Sequence, residues 1–314
     1  MRPLLILLAS PRGFCAGVER AIRAVEDGLT RLGAPLFVRH QIVHNPRVVG
    51  NLARNGAVFV EELDAVPDGA PVVFSAHGVA TSVRAEARMR GLPYIDATCP
   101  LVTKVHREVE HHVSAGRKVI LIGHAGHPEV IGTMGHAPSG SVILVQSAAE
   151  AASMPIEASA SYGLVMQTTL SVMDSEEITA VLRHRVSRLH EPLKSDICYA
   201  TTNRQRAISA IAPRCDAVIV IGGLNSSNSQ RLVEIACDSG CRKSILIEGA
   251  DQLAPLFLNG VGTLGITSGA STPEALVTEL IEHLSDHFQL SIEEVATATE
   301  DIEFRMPVLA NETE

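Results

Sequence analysis

GFCAGVERAI at residues 13–22, DATCPLVTKV at 96–105 and DICYATTNRQ at 196–205 share one layout: a tight turn, a cysteine, then a run with helical spacing. Short aliphatic or β-branched runs recur along the chain, for example at 4–9, 71–75, 119–123, 142–145, 164–167, 217–222 and 244–248. Each leads into a Gly, Ser or His turn, and a helical pattern follows most of them. That succession is the grammar of βα units and predicts an α/β protein with mainly parallel sheets.

Each cysteine turn is followed by a second polar turn: FSAHGVATS at 74–82, LIGHAGHPEV at 121–130 and VIGGLNSSNSQ at 220–230, the last helped by ITSGASTPE at 266–274. The recurrence predicts three similar α/β modules of ordinary domain size. They are placed at 1–97 with Cys15, 98–194 with Cys99 and 195–285 with Cys198. The acidic stretch 286–314 carries no motif and is expected to be a C-terminal tail that wraps over the surface or frays. Ligands of open α/β sheets gather beyond the carboxyl ends of the strands. Three modules packed with those ends together would set three thiols around one centre, ringed by the second turns.

Composition narrows the function. The chain has 314 residues, 46% of them hydrophobic, enough to bury a core in each module. With 3% aromatic residues and a formal net charge of -9 it offers neither stacking platforms nor a basic face, which argues against nucleic acid. No stretch approaches the roughly 18 apolar residues of a membrane span. The run at 4–9 is shorter than a signal-peptide core, no small-residue cleavage site follows it, and the residues before Cys15 are not those of a lipoprotein signal. Six cysteines without dense disulfide spacing suggest a reducing cytoplasm.

Three cysteines in equivalent turns make a possible three-thiolate site. Three matters, because it leaves a bound metal centre incompletely ligated by protein and open to substrate. Helix N-termini just after each cysteine are expected to lower the thiol pKa. Zinc on the same three residues is an alternative, although it offers no electrons and the usual close C-x-x-C pairs are missing. Cys215, Cys237 and Cys241 lack the turn context and are assigned to packing or surface, with Cys237 and Cys241 read as four apart on one helix.

The second turns hold groups that bind anions without much positive charge: His44 in HNPRVV, His77 in SAHG, His127 in GHPE, then Ser226, Ser227, Asn228 and Ser271. At helix N-termini such groups join orphan backbone N–H groups and the helix dipole, which suits a diphosphate. Glu129, in the constrained turn GHAGHPEVIGTMG, is the best acid candidate, since a carboxyl in a water-poor pocket keeps a proton to near-neutral pH. Thr168 in QTTLS could orient or relay that proton. Singly, each residue also has an ordinary reading as a helix cap, a packed cysteine or a structural histidine.

PRGFCAGV, HNPRVV, SAHGV, DATCPLV, GHAGHPEVIGTMG, QTTLS, DICYATTNRQ, GLNSSNS and SGASTPE, in that order over about residues 4–282, resemble the IspH/LytB family of 4-hydroxy-3-methylbut-2-enyl diphosphate reductases. The resemblance implies a trefoil-like arrangement of three α/β modules around one [4Fe-4S] cluster, held by Cys15, Cys99 and Cys198 with one iron not ligated by protein. It implies the last step of the non-mevalonate isoprenoid pathway, a two-electron reductive dehydroxylation giving isopentenyl and dimethylallyl diphosphates. Position by position, it makes His44, His77, His127, Ser226, Ser227, Asn228 and Ser271 diphosphate ligands, Glu129 the proton donor and Thr168 the active-site threonine. Because no dinucleotide fingerprint appears, electrons are expected from a ferredoxin or flavodoxin.

Two rivals are weaker. A hydro-lyase using the open iron as a Lewis acid would want Arg or Lys clamps for carboxylates, and the cradle offers His, Ser and Asn. A cluster-bearing sensor would leave Glu129 and the diphosphate cradle unexplained.

Overall fold

Leu4 to Ala9 are six successive apolar residues, and the computed structural model explains why none is polar. Leu4, Ile6 and Leu8 face one hydrophobic cluster, Leu7 and Ala9 another. Alternate strand residues point to opposite faces, so an unbroken apolar run marks a strand covered on both sides, as in a parallel sheet. The same division holds at 217–221, where Ala217, Ile219 and Ile221 join the first cluster and Val218 and Val220 the second.

The structure describes residues 1–157 and 159–310. The chain begins with β1 (Arg2–Ser10), α1 (Ala16–Leu32), β2 (Leu36–Arg39), α2 (Pro46–Arg54), β3 (Ala57–Val60), β4 (Val72–Phe74), α3 (Thr81–Met89) and β5 (Tyr94–Asp96). It continues through α4 (Pro100–Ser114), β6 (Lys118–Ile122), α5 (Pro128–Met134), β7 (Val142–Val145), α6 (Ala148–Ser153), β8 (Tyr162–Met166), α7 (Val172–Arg185) and β9 (Leu189–His190). The last elements are α8 (Tyr199–Ile211), β10 (Ala217–Ile221), α9 (Ser227–Asp238), β11 (Ser244–Ile247), β12 (Thr263–Ser268), α10 (Glu274–Ser285) and β13 (Phe288–Ala296).

Two compact units result. The first joins Met1–Glu19, His44–Gly50 and Tyr199–Glu303, and holds one five-stranded sheet in the order β11-β10-β12-β1-β13. The second joins Arg20–Val43, Asn51–Cys198 and the segment from Phe304, and holds two four-stranded sheets, β3-β2-β4-β5 and β7-β6-β8-β9. Every pairing within the sheets is parallel.

All three sheets follow one plan. The first local strand sits second in the order, its successor lies outside it, and the third and fourth are added on the other side. In the five-stranded sheet β10, β11 and β12 take the first three places and β1 the fourth. The expectation of three similar parallel α/β modules therefore holds at the level of sheets, although β1 comes from the opposite end of the chain to its neighbours.

The expected C-terminal tail differs over part of its length. Residues 288–296 form β13, which pairs along the whole of β1 from Arg2↔Phe288 to Ser10↔Ala296. Its alternation of Phe288, Leu290 and Ile292 with Gln289, Ser291 and Glu293 is that of an edge strand with one wet face. Beyond it Thr297 donates through its amide and its hydroxyl to the Ser10 carbonyl at 2.9 and 3.1 Å. Residues 311–314 lie outside the described ones.

Candidate functional site

In an open α/β sheet the strand order reverses between the first and third local strands, and a crevice opens beyond their carboxyl ends. The residues singled out in the sequence follow those strands. His44 comes after β2 and His77 after β4; His127 and Glu129 after β6, and Thr168 after β8; Ser226, Ser227 and Asn228 after β10, and Ser271 after β12. The cysteines follow the fourth strand of each sheet: Cys15 after β1, Cys99 after β5, Cys198 after β9.

Each cysteine also makes the same backbone contact. The amide of Cys15 donates to Ala270 O at 3.1 Å, that of Cys99 to Ala76 O at 3.0 Å and that of Cys198 to Thr168 O at 3.1 Å. The three acceptors stand in the turns after β12, β4 and β8, the third strand of each sheet. Each cysteine lies at the head of its helix, α1, α4 or α8, with Cys99 as N-cap and Pro100 in the first turn of α4.

In the first unit, Gly13 adopts φ +70°, which a side chain would strain, and so turns the chain into Cys15. The backbone N–H groups of Gly17 and Val18 point at the Cys15 sulfur, and Arg204 is near. Burial nevertheless outweighs them and raises the thiol pKa, against the expectation that a helix N-terminus would lower it. A bound cation would supply the missing compensation and take the thiolate.

His44 precedes Asn45, whose side-chain oxygen accepts from Val48 N at 3.2 Å and caps α2, with Pro46 opening the helix. The Asn225 amide meets His44 Nδ1 at 3.3 Å, and Ser271 Oγ donates to the His44 carbonyl at 3.0 Å. Gly223 is required beside it, since a Cβ there would lie 2.7 Å from the His44 carbonyl oxygen.

Ser226 caps α9, accepting from Ser229 N at 3.3 Å and from Ser229 Oγ at 3.1 Å. Ser227 and Asn228 open the helix and both are buried. Neither the oxygen nor the nitrogen of the Asn228 side-chain amide has a hydrogen-bond partner among the described residues, although the residue is 4% exposed. Buried amides without partners are rare and point to a missing ligand or water.

In the second unit, His127 caps α5 by accepting the Glu129 amide on Nδ1 at 3.2 Å. A neutral ring that accepts on Nδ1 carries its proton on Nε2, so Nε2 of His127 is a donor. The His77 ring stands edge-on to it with centroids 5.8 Å apart. Glu129 is 2% exposed, and both its carboxyl oxygens are taken by Thr168: the amide donates to Oε1 at 2.6 Å and the hydroxyl to Oε2 at 2.9 Å. Desolvation exceeds these bonds and pushes the Glu129 pKa up to about 7.

The remaining cysteines form no disulfide. Cys215 and Cys241 pack into the β10 core, in keeping with a packing role. The expectation that Cys237 and Cys241 share one helix does not hold, because α9 ends at Asp238 and Gly240 turns away at φ +110°.

Three thiols, each at the head of a helix, are of the ligand type that iron–sulfur clusters take. Among the described residues no three His, Cys, Asp or Glu side chains stand close enough to share one metal ion. Sequence reasoning passed over four residues beside the cysteines: Asp196, buried, accepting Met166 N at 3.0 Å and Lys104 Nζ at 2.7 Å, and the three cations Arg20, Lys104 and Arg204. Their signal was present as a cation five or six positions after each cysteine.

A family model described as LytB protein matches residues 6–285. The chain is 54% identical over 310 residues to the 4-hydroxy-3-methylbut-2-enyl diphosphate reductase of Gluconobacter oxydans, covering 98% of this chain and 92% of that protein. It is 52% identical over 305 residues to the reductase of the same description from Ruegeria pomeroyi, covering 97% and 96%. The structure of the E-1-hydroxy-2-methyl-but-2-enyl-4-diphosphate reductase from Plasmodium falciparum superimposes with a TM-score of 0.92 at 35% identity, over 98% of this chain and 96% of that one. A second solved structure, of (E)-4-hydroxy-3-methyl-but-2-enyl diphosphate reductase, the terminal enzyme of the non-mevalonate pathway, matches with a TM-score of 0.64 at 32% identity, over 90% of this chain and 99% of that one.

Proposed function

This chain belongs to the LytB family of 4-hydroxy-3-methylbut-2-enyl diphosphate reductases, and from that premise we propose how its residues divide the work of the terminal step of the non-mevalonate pathway. The enzyme is an oxidoreductase acting on a small allylic diphosphate. Cys15, Cys99 and Cys198 would hold a [4Fe-4S] cluster, one per chain, with one iron left without a protein ligand. Two features support this: equivalent helix-head positions, and N–H groups of α1 aimed at the Cys15 sulfur. When bound, the cluster supplies two electrons singly and a Lewis-acidic iron for the substrate oxygen.

The protein's own part is binding and proton delivery. His44, His77, His127, Ser226, Ser227, Asn228 and Ser271 are proposed to take the diphosphate. The orphaned Asn228 amide and the Nε2–H of His127 support that assignment. Glu129 gives the departing hydroxyl its proton from a carboxyl oxygen held by Thr168, and the oxygen leaves as water. The second proton goes to either end of the allylic fragment, so two isomeric products arise.

The observation that carries the reading is the carboxyl of Glu129, buried and clasped by Thr168, where burial pushes its pKa up to about 7. Anaerobic turnover of the allylic diphosphate by the iron-loaded chain tests it: the native protein forms both isomers and Glu129→Gln loses activity. An iron-loaded native protein that leaves the diphosphate untouched would overturn the reading. We further propose a ferredoxin or flavodoxin as electron donor and the cytoplasm as location. No helix among the described residues is long and apolar enough to cross a membrane.

A further inference from the structure

Each cysteine helix carries a cation one turn and a half beyond its cysteine, and that cation bonds to the turn before a different cysteine. Arg20 on α1, five residues after Cys15, donates through Nη1 to Ala97 O at 3.2 Å and Thr98 O at 3.0 Å, the two carbonyls before Cys99. Lys104 on α4, five residues after Cys99, donates to Asp196 Oδ1 at 2.7 Å and Lys194 O at 3.2 Å, in the turn before Cys198. Arg204 on α8, six residues after Cys198, donates to Gly13 O at 2.7 and 3.1 Å and to Phe14 O at 3.2 Å, the two carbonyls before Cys15. The sequence of contacts therefore closes: the Cys15 helix holds the Cys99 turn, the Cys99 helix holds the Cys198 turn, and the Cys198 helix holds the Cys15 turn.

These are costly bonds to build for fold alone. Arg204 is completely buried and needs the carboxylate of Glu300, 3.1 Å away, to balance it. Asn203 holds the same carboxylate at 3.0 Å, so a residue of the C-terminal segment is recruited to the clamp. Asp196 is fully buried and would be an unpaired charge without Lys104. Charge-assisted donors to carbonyls are among the stronger hydrogen bonds, and a guanidinium forks across two successive carbonyls. A turn that must present a thiolate gains from having its preceding carbonyls fixed, because their orientation sets that of the cysteine.

We propose that Arg20, Lys104 and Arg204 are positioning residues that act crosswise, each presetting the cysteine turn that follows its own in the cycle, so that the three thiolates are held ready as one cooperative set. The inference rests on the reading of Cys15, Cys99 and Cys198 as cluster ligands. A residue that merely stabilised its own helix would act on its own cysteine, so the crosswise direction is what distinguishes the two roles.

The test is alkylation of each cysteine by iodoacetamide in the full-length, iron-free chain, followed by mass spectrometry. Lys104→Met should speed alkylation of Cys198 by roughly tenfold, the opening expected from losing a charge-assisted bond, and leave Cys99 at its native rate. Arg20→Met should act on Cys99 and spare Cys15, and Arg204→Lys on Cys15 and spare Cys198. Lys104→Arg should restore the native pattern. Cys241, in the β10 core, reports unfolding. Lys104 is only partly buried, so the pair of variants there decides the matter even if the arginine variants do not fold. Faster alkylation of the helix's own cysteine, an equal rise at all three, or no change would overturn the crosswise clamp. If iron loading fails to protect these three cysteines in the native chain, the ligand reading falls while the clamp stands or falls on its own pattern.

Discussion

Thr168 spends both of its donors on Glu129, its amide 2.6 Å from one carboxyl oxygen and its hydroxyl 2.9 Å from the other. The pair couples the turn after β8 to the start of α5. It also sets the acid strength of Glu129, because the two bonds favour the charged form while burial favours the neutral one and wins, bringing the pKa to about 7. The native state thus binds a proton that the unfolded chain, near 4.5, has already released. The stability held by the neutral carboxyl is complete below pH 4.5 and lost as pH rises through 7.

Glu129→Gln fixes the group neutral. Between pH 4.5 and 7 its unfolding free energy should lose a slope that the native protein shows, with a cumulative difference on the order of 3 kcal/mol. Urea titrations across that range measure it. Turnover should fall by roughly 10²–10⁴-fold, the usual share of a general acid. A variant with the native pH slope would show that another group carries it.

Thr168→Val keeps the amide bond and removes the hydroxyl. One of the two bonds that lower the Glu129 pKa is lost, so the alkaline limb of the pH–rate profile should move upward. The stability cost should be about 1 kcal/mol. Thr168→Ser should restore the native limb. Unchanged limbs in both variants would remove the hydroxyl from any part in setting the acid.

How far these relations could be read in the sequence depends on whether they are local. The cysteine turns and the apolar run of β1 are local patterns, and the structure carries them as read. β13 was not legible, because Phe288 to Ile292 alternates apolar and polar residues as an edge strand does, and the Glu293–Glu294 pair that follows makes it resemble a solvated stretch. Its partner β1 lies at the other end of the chain. The cation clamps were hidden for a related reason. Each donor and its carbonyls are separated by at least 77 residues, and the spacing from cysteine to cation says nothing about which turn it serves.

Gly223→Ala tests the packing that holds His44. Its Cβ would meet the His44 carbonyl oxygen at 2.7 Å, a backbone atom that cannot rotate away. The turn HNP must shift, costing about 1–3 kcal/mol in thermal or urea unfolding. KM for the diphosphate should rise more than kcat falls, since His44 is assigned to binding. A variant of native stability and KM would show that the two turns separate without consequence.

Asn228 sets stability against binding. Its buried amide carries two polar atoms without partners among the described residues, a cost the folded chain bears in the absence of ligand. Asn228→Ala removes those atoms, so the substrate-free protein should be as stable as the native one or more so, by up to about 1 kcal/mol. The same change deletes the hydrogen bonds the amide offers to a charged diphosphate, each worth about 1.5–3 kcal/mol, so KM should rise at least roughly tenfold. Thermal unfolding with and without inorganic diphosphate separates the two effects: the native protein should gain stability from the anion, and the variant should gain less. Loss of stability in the substrate-free variant would mean that the amide is satisfied in the folded chain, and Asn228 would then be a structural residue of α9.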